Sequence, residues 1–248
     1  MKLRLRQIAL AVTDLEAATS QASEILGLGP AYQDPAIMRY GLRNAVYPIG
    51  NTFLEFVSPI TENTTVGRLL AKQGGDWGYM VIVQTDAADE ARARIGAVGV
   101  RVADELDRNG AGFMHLHPKD VGGTLLSIDY MPHWSDWEWG GPDWQRSANH
   151  GEAITGVGIN ALDPQAMGGR WGEILGRQME PIDQVTRIHL DEGELRFAPL
   201  AGSGREGFNT FDLHSARAAQ LRENAARHGC LRAEASRVLG AYVRKSVL

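Results

Sequence analysis

A lone carboxylate in an apolar run is the most conspicuous chemistry in this sequence. Glu55 stands among Phe53, Leu54, Phe56 and Val57, a stretch whose aromatic and β-branched residues predict a strand. Side chains alternate along a strand, so Phe53, Glu55 and Val57 share a face. An unpaired carboxylate is costly to bury and needs a proton, a metal or a cation. Desolvation would raise its pKa into the range of a general base near neutral pH. Arg43, on the neighbouring strand, would instead make it half of a structural ion pair. Both readings stand at this point. By the same alternation Gln7 shares a face with Ala9 and Ala11, Tyr79 with Val81 and Val83, and Ser127 with Leu125 and Asp129. His115 and His117 lie two apart, an arrangement that suits metal ligation or a purely structural pair. Lys119 follows them and is placed to meet an anionic group. The chain contains no Ser-His-Asp spacing, P-loop or CxxC.

The elements that position these residues repeat. Gln7 to Val12 reads as a strand. Thr13, with Glu16 three residues on, is a capping-box signature for a helix beginning near Asp14 and stopped by Gly27. Its apolar positions, Leu15, Ala18, Ala22, Ile25 and Leu26, follow helical spacing. Asp86 to Gly99 and Asp163 to Gly176 repeat the same Asp-to-Gly interval, and Ser215 to Gly229 is a weaker copy. Each follows a strand-like run, which makes a repeated module the economical reading. In the first module a short strand at Ala31 and Tyr32 precedes a hairpin of Tyr40–Ile49 and Asn51–Pro59 turning at Gly50-Asn51. A short amphipathic helix carrying Val66, Leu69 and Leu70 links it to the second module. There the expected strands are Tyr79–Val83, Val100–Ala103, Phe113–His117 and Thr124–Tyr130. The third has a strand at Ile154–Ala161, a helix at Pro164–Leu175 and a hairpin of Val185–Leu190 and Glu194–Pro199. The fourth has a strand at Phe208–Leu213, a helix at Ala216–His228, and strands around Arg237–Leu239 and Tyr242–Val247.

Between the halves the composition changes. Trp134, Trp137, Trp139 and Trp144, four of the six tryptophans, fall there amid Pro132, Gly140, Gly141 and Pro142. The segment reads as an ordered connector whose rings fill apolar gaps, with a ligand lid as the sharper alternative. The chain has 248 residues, 44% of them hydrophobic, enough for a real core. A net charge of −5 disfavours nucleic acid as a partner. No apolar run approaches a membrane span, and the basic N-terminus runs straight into a strand without a signal-peptide core. Cys230, the lone cysteine, has no internal disulfide partner. A soluble, cytoplasmic protein, monomeric or a homodimer, with a small-molecule ligand, is the expectation.

Four tandem βαβββ modules, with the phrases QIALAVTDLEAA, NTFLEFVSP and HPKDVGGTLLSID, resemble the vicinal oxygen chelate (VOC) superfamily of glyoxalase and bleomycin-resistance proteins. HPKDVGG in particular is similar to the methylmalonyl-CoA epimerase branch. The resemblance is best over the first 130 residues; the second half matches in element order. It implies an α+β fold in which tandem βαβββ modules form two half-open barrels with helices outside and the site in the concave face. The expected layout is a first domain at 1–131, the connector at 132–150 and a second, degenerate domain at 151–248. In metal-dependent members, the first strand and the last strand of each module supply ligands. Those places fall here on Gln7, Glu55, Tyr79 and Ser127, and in the second half on Gly156 and Arg196. Glu55 suits a divalent ion, Gln7 poorly, and Tyr79 and Ser127 hardly at all.

The expectation is therefore a site without the usual metal and no cofactor, the alternative being a divalent ion at Glu55 with Gln7. His117 opens the family's HPKD turn, which implies a structural or substrate-orienting role. Two functions follow. One is a lyase or isomerase of glyoxalase or epimerase type, with Glu55 and Tyr79 catalytic and Gln7, Arg43, His115, His117, Ser127 and Asp129 binding a small carbonyl compound. The other is a non-catalytic binding protein of the bleomycin-resistance kind.

Overall fold

The structure is a computed structural model that describes residues 1–200, 204–230, 235–238 and 241–245. Among these, the first module has β1 (Leu3–Ala11), α1 (Leu15–Leu26), β2 (Leu42–Ile49) and β3 (Thr52–Pro59), followed by α2 (Thr65–Gln73). The second has β4 (Trp77–Thr85), α3 (Ala88–Ala97), β5 (Val102–Arg108), β6 (Ala111–Leu116), α4 (Pro118–Val121) and β7 (Leu125–Tyr130). The connector carries a 3-10 turn at Glu138–Gly140 and a short α-helix, α5 (Trp144–Ser147). The third has β8 (Glu152–Ala161), α6 (Pro164–Leu175), β9 (Met179–Ile182), β10 (Val185–His189) and β11 (Glu194–Pro199). The fourth has β12 (Gly207–Ser215), α7 (Ala218–Arg227), β13 (Ala235–Val238) and β14 (Ala241–Lys245). Leu239, Ser246 and Val247, the ends of the last two expected strands, lie outside the described residues. The fold class is the expected one, α+β built from tandem βαβββ modules. One sheet has the strand order β2-β3-β1-β4-β7-β6-β5 and the other β13-β14-β12-β8-β11-β10-β9.

Compactness groups the chain in another way. One unit comprises Met1–Arg6, Met80–Glu138 and Gly156–Phe208; the other comprises Gln7–Tyr79, Trp139–Thr155 and Asn209–Leu248. No helix among the described residues is long and apolar enough to cross a membrane.

Two of the four expected helix starts are true side-chain caps. Asp14 accepts from the Ala17 N–H at 3.0 Å and Gly27 closes α1 in the left-handed conformation (φ 66°). Asp163 and Gly176 do the same for α6, with Pro164 at the first turn. Such a cap contributes about 1 kcal/mol. Thr13 is not the cap: its N–H and hydroxyl both donate to Asp76. Asp86 does not cap α3 either, because its carboxylate accepts the Lys2 N–H instead. Ser215 lies at the end of β12, three residues before Ala218, the uncapped start of α7.

Strand β5 lies at Val102–Arg108 rather than Val100–Ala103. It is the outermost strand of its sheet, mostly exposed, so it carries no apolar alternation to mark it. The short strand expected at Ala31 and Tyr32 is a single bridge from Tyr32 to Val46. Within the first unit, Trp171 of α6 is fully buried, packs edge-on to Phe197 and donates its indole N–H to the Val121 carbonyl at 3.0 Å.

Candidate functional site

Strand register brings Glu55 its partners. β3 runs parallel to β1, with Glu55 beside Ala9, and antiparallel to β2, with Glu55 beside Val46. Small or branched residues directly alongside leave the diagonal neighbours to reach over. Gln7 donates from Nε2 to Glu55 Oε2 at 2.8 Å, and Asn44 donates from Nδ2 to Glu55 Oε1 at 2.7 Å. The Asn44 amide has a fixed orientation, because its Oδ1 accepts the Asp34 backbone N–H at 2.9 Å. Its NH2 group must therefore face the carboxylate. Glu55 is only 7% exposed. Burial pushes its carboxyl from an ordinary value near 4.5 up to about 7, opposed by the Asn44 and Gln7 hydrogen bonds and assisted by the Asp34 charge.

Arg43 is not the partner of Glu55. It pairs across the strands with Ser58, so it lies on the opposite face of β2, where it forms a two-pronged ion pair with Glu16 (Nη2 to Oε2, 2.7 Å). Asn44 holds the place expected of Arg43. The hairpin turn at Gly50-Asn51 sets Ile49 against Thr52 and hence Val46 against Glu55, so parity alone could have found Asn44.

Tyr79 on β4 packs against Ala11, Leu42, Val57, Val66 and Leu70. Burial first, then the charges of Glu55 and Tyr40, push its phenol up to about 12. It is a hydrogen-bond donor at any ordinary pH. The cluster thus offers one carboxylate with both oxygens engaged, two amides turned donor-side toward it, and one protonated phenol. A divalent cation wants several unprotonated oxygen, nitrogen or sulfur ligands; here both Glu55 oxygens accept amide N–H groups. Among the described residues no group of three or more His, Cys, Asp or Glu side chains could hold a metal.

In the other unit, β6 and β7 pair His115 with Ser127 and Phe113 with Asp129. His115 Nδ1 lies 2.9 Å from Ser127 Oγ, and Ser127 donates its hydroxyl to Asp129 Oδ1. Ser127 and Asp129 are buried; the His115 ring lies flat on Phe113 (4.0 Å, 12°). The Ser127 proton is therefore spent inside the protein, not on a ligand oxygen. His117 lies one residue past the end of β6. It caps α4, accepting the Lys119 N–H at Nδ1 (3.2 Å). The same turn is clamped by Arg101, which donates to both oxygens of Asp120 (2.6 and 2.8 Å) and holds that carboxyl far below the usual range. In the second half, Arg196 on β11 lies beside Gly158 and pairs with Glu194 at 2.7 Å.

The desolvation of Glu55 has a consequence for stability. Below about pH 4.5 the carboxyl is protonated whether the chain is folded or not. Between there and about pH 7 the unfolded chain has lost the proton and the folded chain keeps it. Stability therefore falls as pH rises through that window, by about 3 kcal/mol in all. Glu55→Gln has no such proton, so the parent's denaturant stability relative to this variant should drop by about that amount from roughly pH 4 to roughly pH 8. A difference that stays flat would mean that the carboxylate is not desolvated.

A family model described as a glyoxalase-like domain matches residues 8–175. The ethylmalonyl-CoA/methylmalonyl-CoA epimerase of Cereibacter sphaeroides is 28% identical over 134 residues, covering 52% of this chain and 98% of that protein. The mitochondrial methylmalonyl-CoA epimerase of Homo sapiens is 26% identical over 129 residues, 51% of this chain and 73% of that one. Among solved structures, a mutant 4-hydroxymandelate synthase from Streptomyces coelicolor superposes with a TM-score of 0.71 over 92% of this chain and 76% of that chain, at 13% identity. That last likeness is one of fold.

Proposed function

The chain belongs to the family of glyoxalase-like domains, and from that premise we propose that it is an enzyme that moves a proton beside the carbonyl of a small molecule, with Glu55 as the base. The observation that carries the reading is the carboxylate itself, buried, held by two amide donors and brought to about 7. A base of that pKa is half ionised at neutral pH, where it can both take and return a proton.

The ionised Glu55 removes the proton from the carbon next to the carbonyl. The C–H electron pair moves into the new carbon–carbon double bond, and the carbonyl oxygen takes the charge. The Tyr79 phenol donates a hydrogen bond to that oxygen, its own acidity weakened by burial. Asn44 and Gln7 hold the carboxylate and do not touch the substrate. Return of the proton to the other face of the same carbon, or to its neighbour, completes an isomerisation. Acyl thioesters of the kind named for the two epimerases are the first substrates to try, since half of this chain is similar to them.

Deuterium uptake at the carbon next to the carbonyl, followed by mass spectrometry in heavy water with methylmalonyl-CoA and ethylmalonyl-CoA, tests the reading. Exchange by the parent supports it. Binding of these compounds without exchange favours the sequestering protein instead.

No metal takes part in this scheme. Protein stripped with EDTA should exchange deuterium as fast as untreated protein, and added divalent ions should leave its melting temperature unchanged. A stabilising ion at one equivalent would overturn the metal-free site.

A further inference from the structure

We propose that Trp77 and Gln73 form an amide-binding subsite next to the Glu55 cluster, the Trp77 indole N–H donating to a ligand carbonyl and the Gln73 side-chain carbonyl accepting a ligand N–H. The subsite deepens the reading of the Glu55 face as the place of a carbonyl ligand, and rests on it. Trp77 Nε1 and Gln73 Oε1 are both buried and have no hydrogen-bond partner. Buried polar atoms are nearly always matched, and an unmatched one lowers stability. Here a donor and an acceptor stand unmatched at one place.

Local structure brings them together. Thr64 caps the start of α2, and Gly74 ends it in the left-handed conformation (φ 73°). Helical spacing from Val66 and Leu70 sets Gln73 on the face of α2 that they occupy. That face packs on the sheet: Val66 and Leu70 join Ala11, Leu42 and Val57 in one cluster, with Tyr79 against it. Trp77 opens β4 two residues before Tyr79 and shares its face. Only Gly74, Gly75 and Asp76 separate Gln73 from Trp77. Asp76 fixes that turn to the end of β1 by accepting the Thr13 N–H and hydroxyl at 2.8 and 2.9 Å. β4 thus starts where β1 ends, whereas Glu55 lies beside Ala9, farther back along β1. Trp77 is therefore one strand repeat, about 7 Å, beyond Tyr79 on the side away from Glu55. Glu55, Gln73, Trp77 and Tyr79 all belong to the same compact unit.

The two atoms set the class of the ligand group. An anion would satisfy the indole N–H and be repelled by the Gln73 carbonyl, and a cation would do the reverse. A neutral amide carries one acceptor and one donor on separate atoms, as two partners on separate elements require. A carbonyl compound at Glu55 would hold that amide in the arm remote from its reacting carbon, where binding positions the substrate.

Binding rather than turnover tests the subsite, with two probes that differ in one group. These are the N-acetylcysteamine thioester of methylmalonate and its pentyl thioester, of the same chain length without the amide. Calorimetric titration of the full chain should show the amide probe bound about tenfold more tightly, the size expected of two neutral hydrogen bonds. Gln73→Met keeps the length of the side chain and its helix propensity. It should cut that preference by about threefold or more and raise the melting temperature by about 2–4 °C, because the free protein no longer buries an unmatched carbonyl. Trp77→Phe should cut the preference likewise; if the smaller ring does not fold, Gln73→Met decides alone. Were water to bridge the two atoms in the free protein, Gln73→Met would melt lower, and that result overturns the subsite. So would failure of the parent to bind the amide probe, equal binding of both probes, or a preference unchanged in Gln73→Met. Preferential binding of the amide probe without deuterium exchange would uphold the subsite and remove Glu55 as the base.

Discussion

Glu55→Gln should fold, bind ligand and turn over at least about a hundredfold more slowly than the parent, the usual size of a general-base contribution. The substitution keeps the shape and removes the charge, and the surroundings can absorb it. Asn44 cannot turn, because the Asp34 N–H holds its oxygen, so its NH2 will donate to the new amide oxygen. Gln7 can rotate its own amide to accept from the new NH2. The desolvation cost of a buried carboxylate disappears with the charge, which is why a large loss of stability is not expected. Deuterium exchange and a melting curve, run on the same preparation, separate the cases. Unchanged exchange removes Glu55 from the chemistry. Loss of several kcal/mol of stability near pH 7, where the parent's carboxylate is itself strained by burial, would mark Glu55 as a structural anchor instead.

How far the sequence reaches depends on how local the deciding contact is. Asp163 was legible as a helix start because the N–H that it accepts lies three residues away; at the first helix the capping box pointed to Thr13, one residue short of the true cap Asp14. Asp86 has the same spacing to its glycine, yet its partner is Lys2, far off in the chain, and no local pattern contains that fact. Glu55 was legible as an ionisable group in an apolar strand. Its partner was misread because opposite charge drew attention to Arg43, while strand parity puts Arg43 on the wrong face. The Glu55 cluster combines residues of β1, β2, β3 and β4, and the hairpin register is the part of it that a sequence encodes. His117 shows the reverse case. The proline after it signals a turn, so a capping role was readable from the two residues alone.

The connector is the least legible stretch, and Trp137→Ala should expose why, at a cost of about 3–5 kcal/mol, the range for deleting a buried tryptophan. Trp137 is 2% exposed, and the Arg6 guanidinium lies over its ring, 5.2 Å from the centroid. Arg6 is itself fully buried; burial and the neighbouring Arg4 push it down to about 9, still charged at neutral pH. It donates to the carbonyls of Ser135 and Asp136 at 3.2 and 3.3 Å. Arg4 stacks on Trp134 (4.2 Å), donates to its carbonyl and takes the Gln84 side chain as a further acceptor at 2.8 and 2.9 Å. The first part of the connector is thus fastened to β1 by two guanidinium groups, each capped by an indole. Neither arginine can be seen as a partner of a tryptophan some 130 positions away. In the other unit Trp144 packs edge-on to Phe53, on the Glu55 face of β3. Removing the Trp137 ring opens a cavity, strips the cation–π contact and lets water reach a charge that burial had isolated. Denaturant unfolding gives the loss, and ligand affinity measured alongside separates a plug from a lid. A plug loses stability in the stated range. A lid would leave stability nearly unchanged while ligand affinity falls, and that result would return the tryptophans to the ligand side of the account.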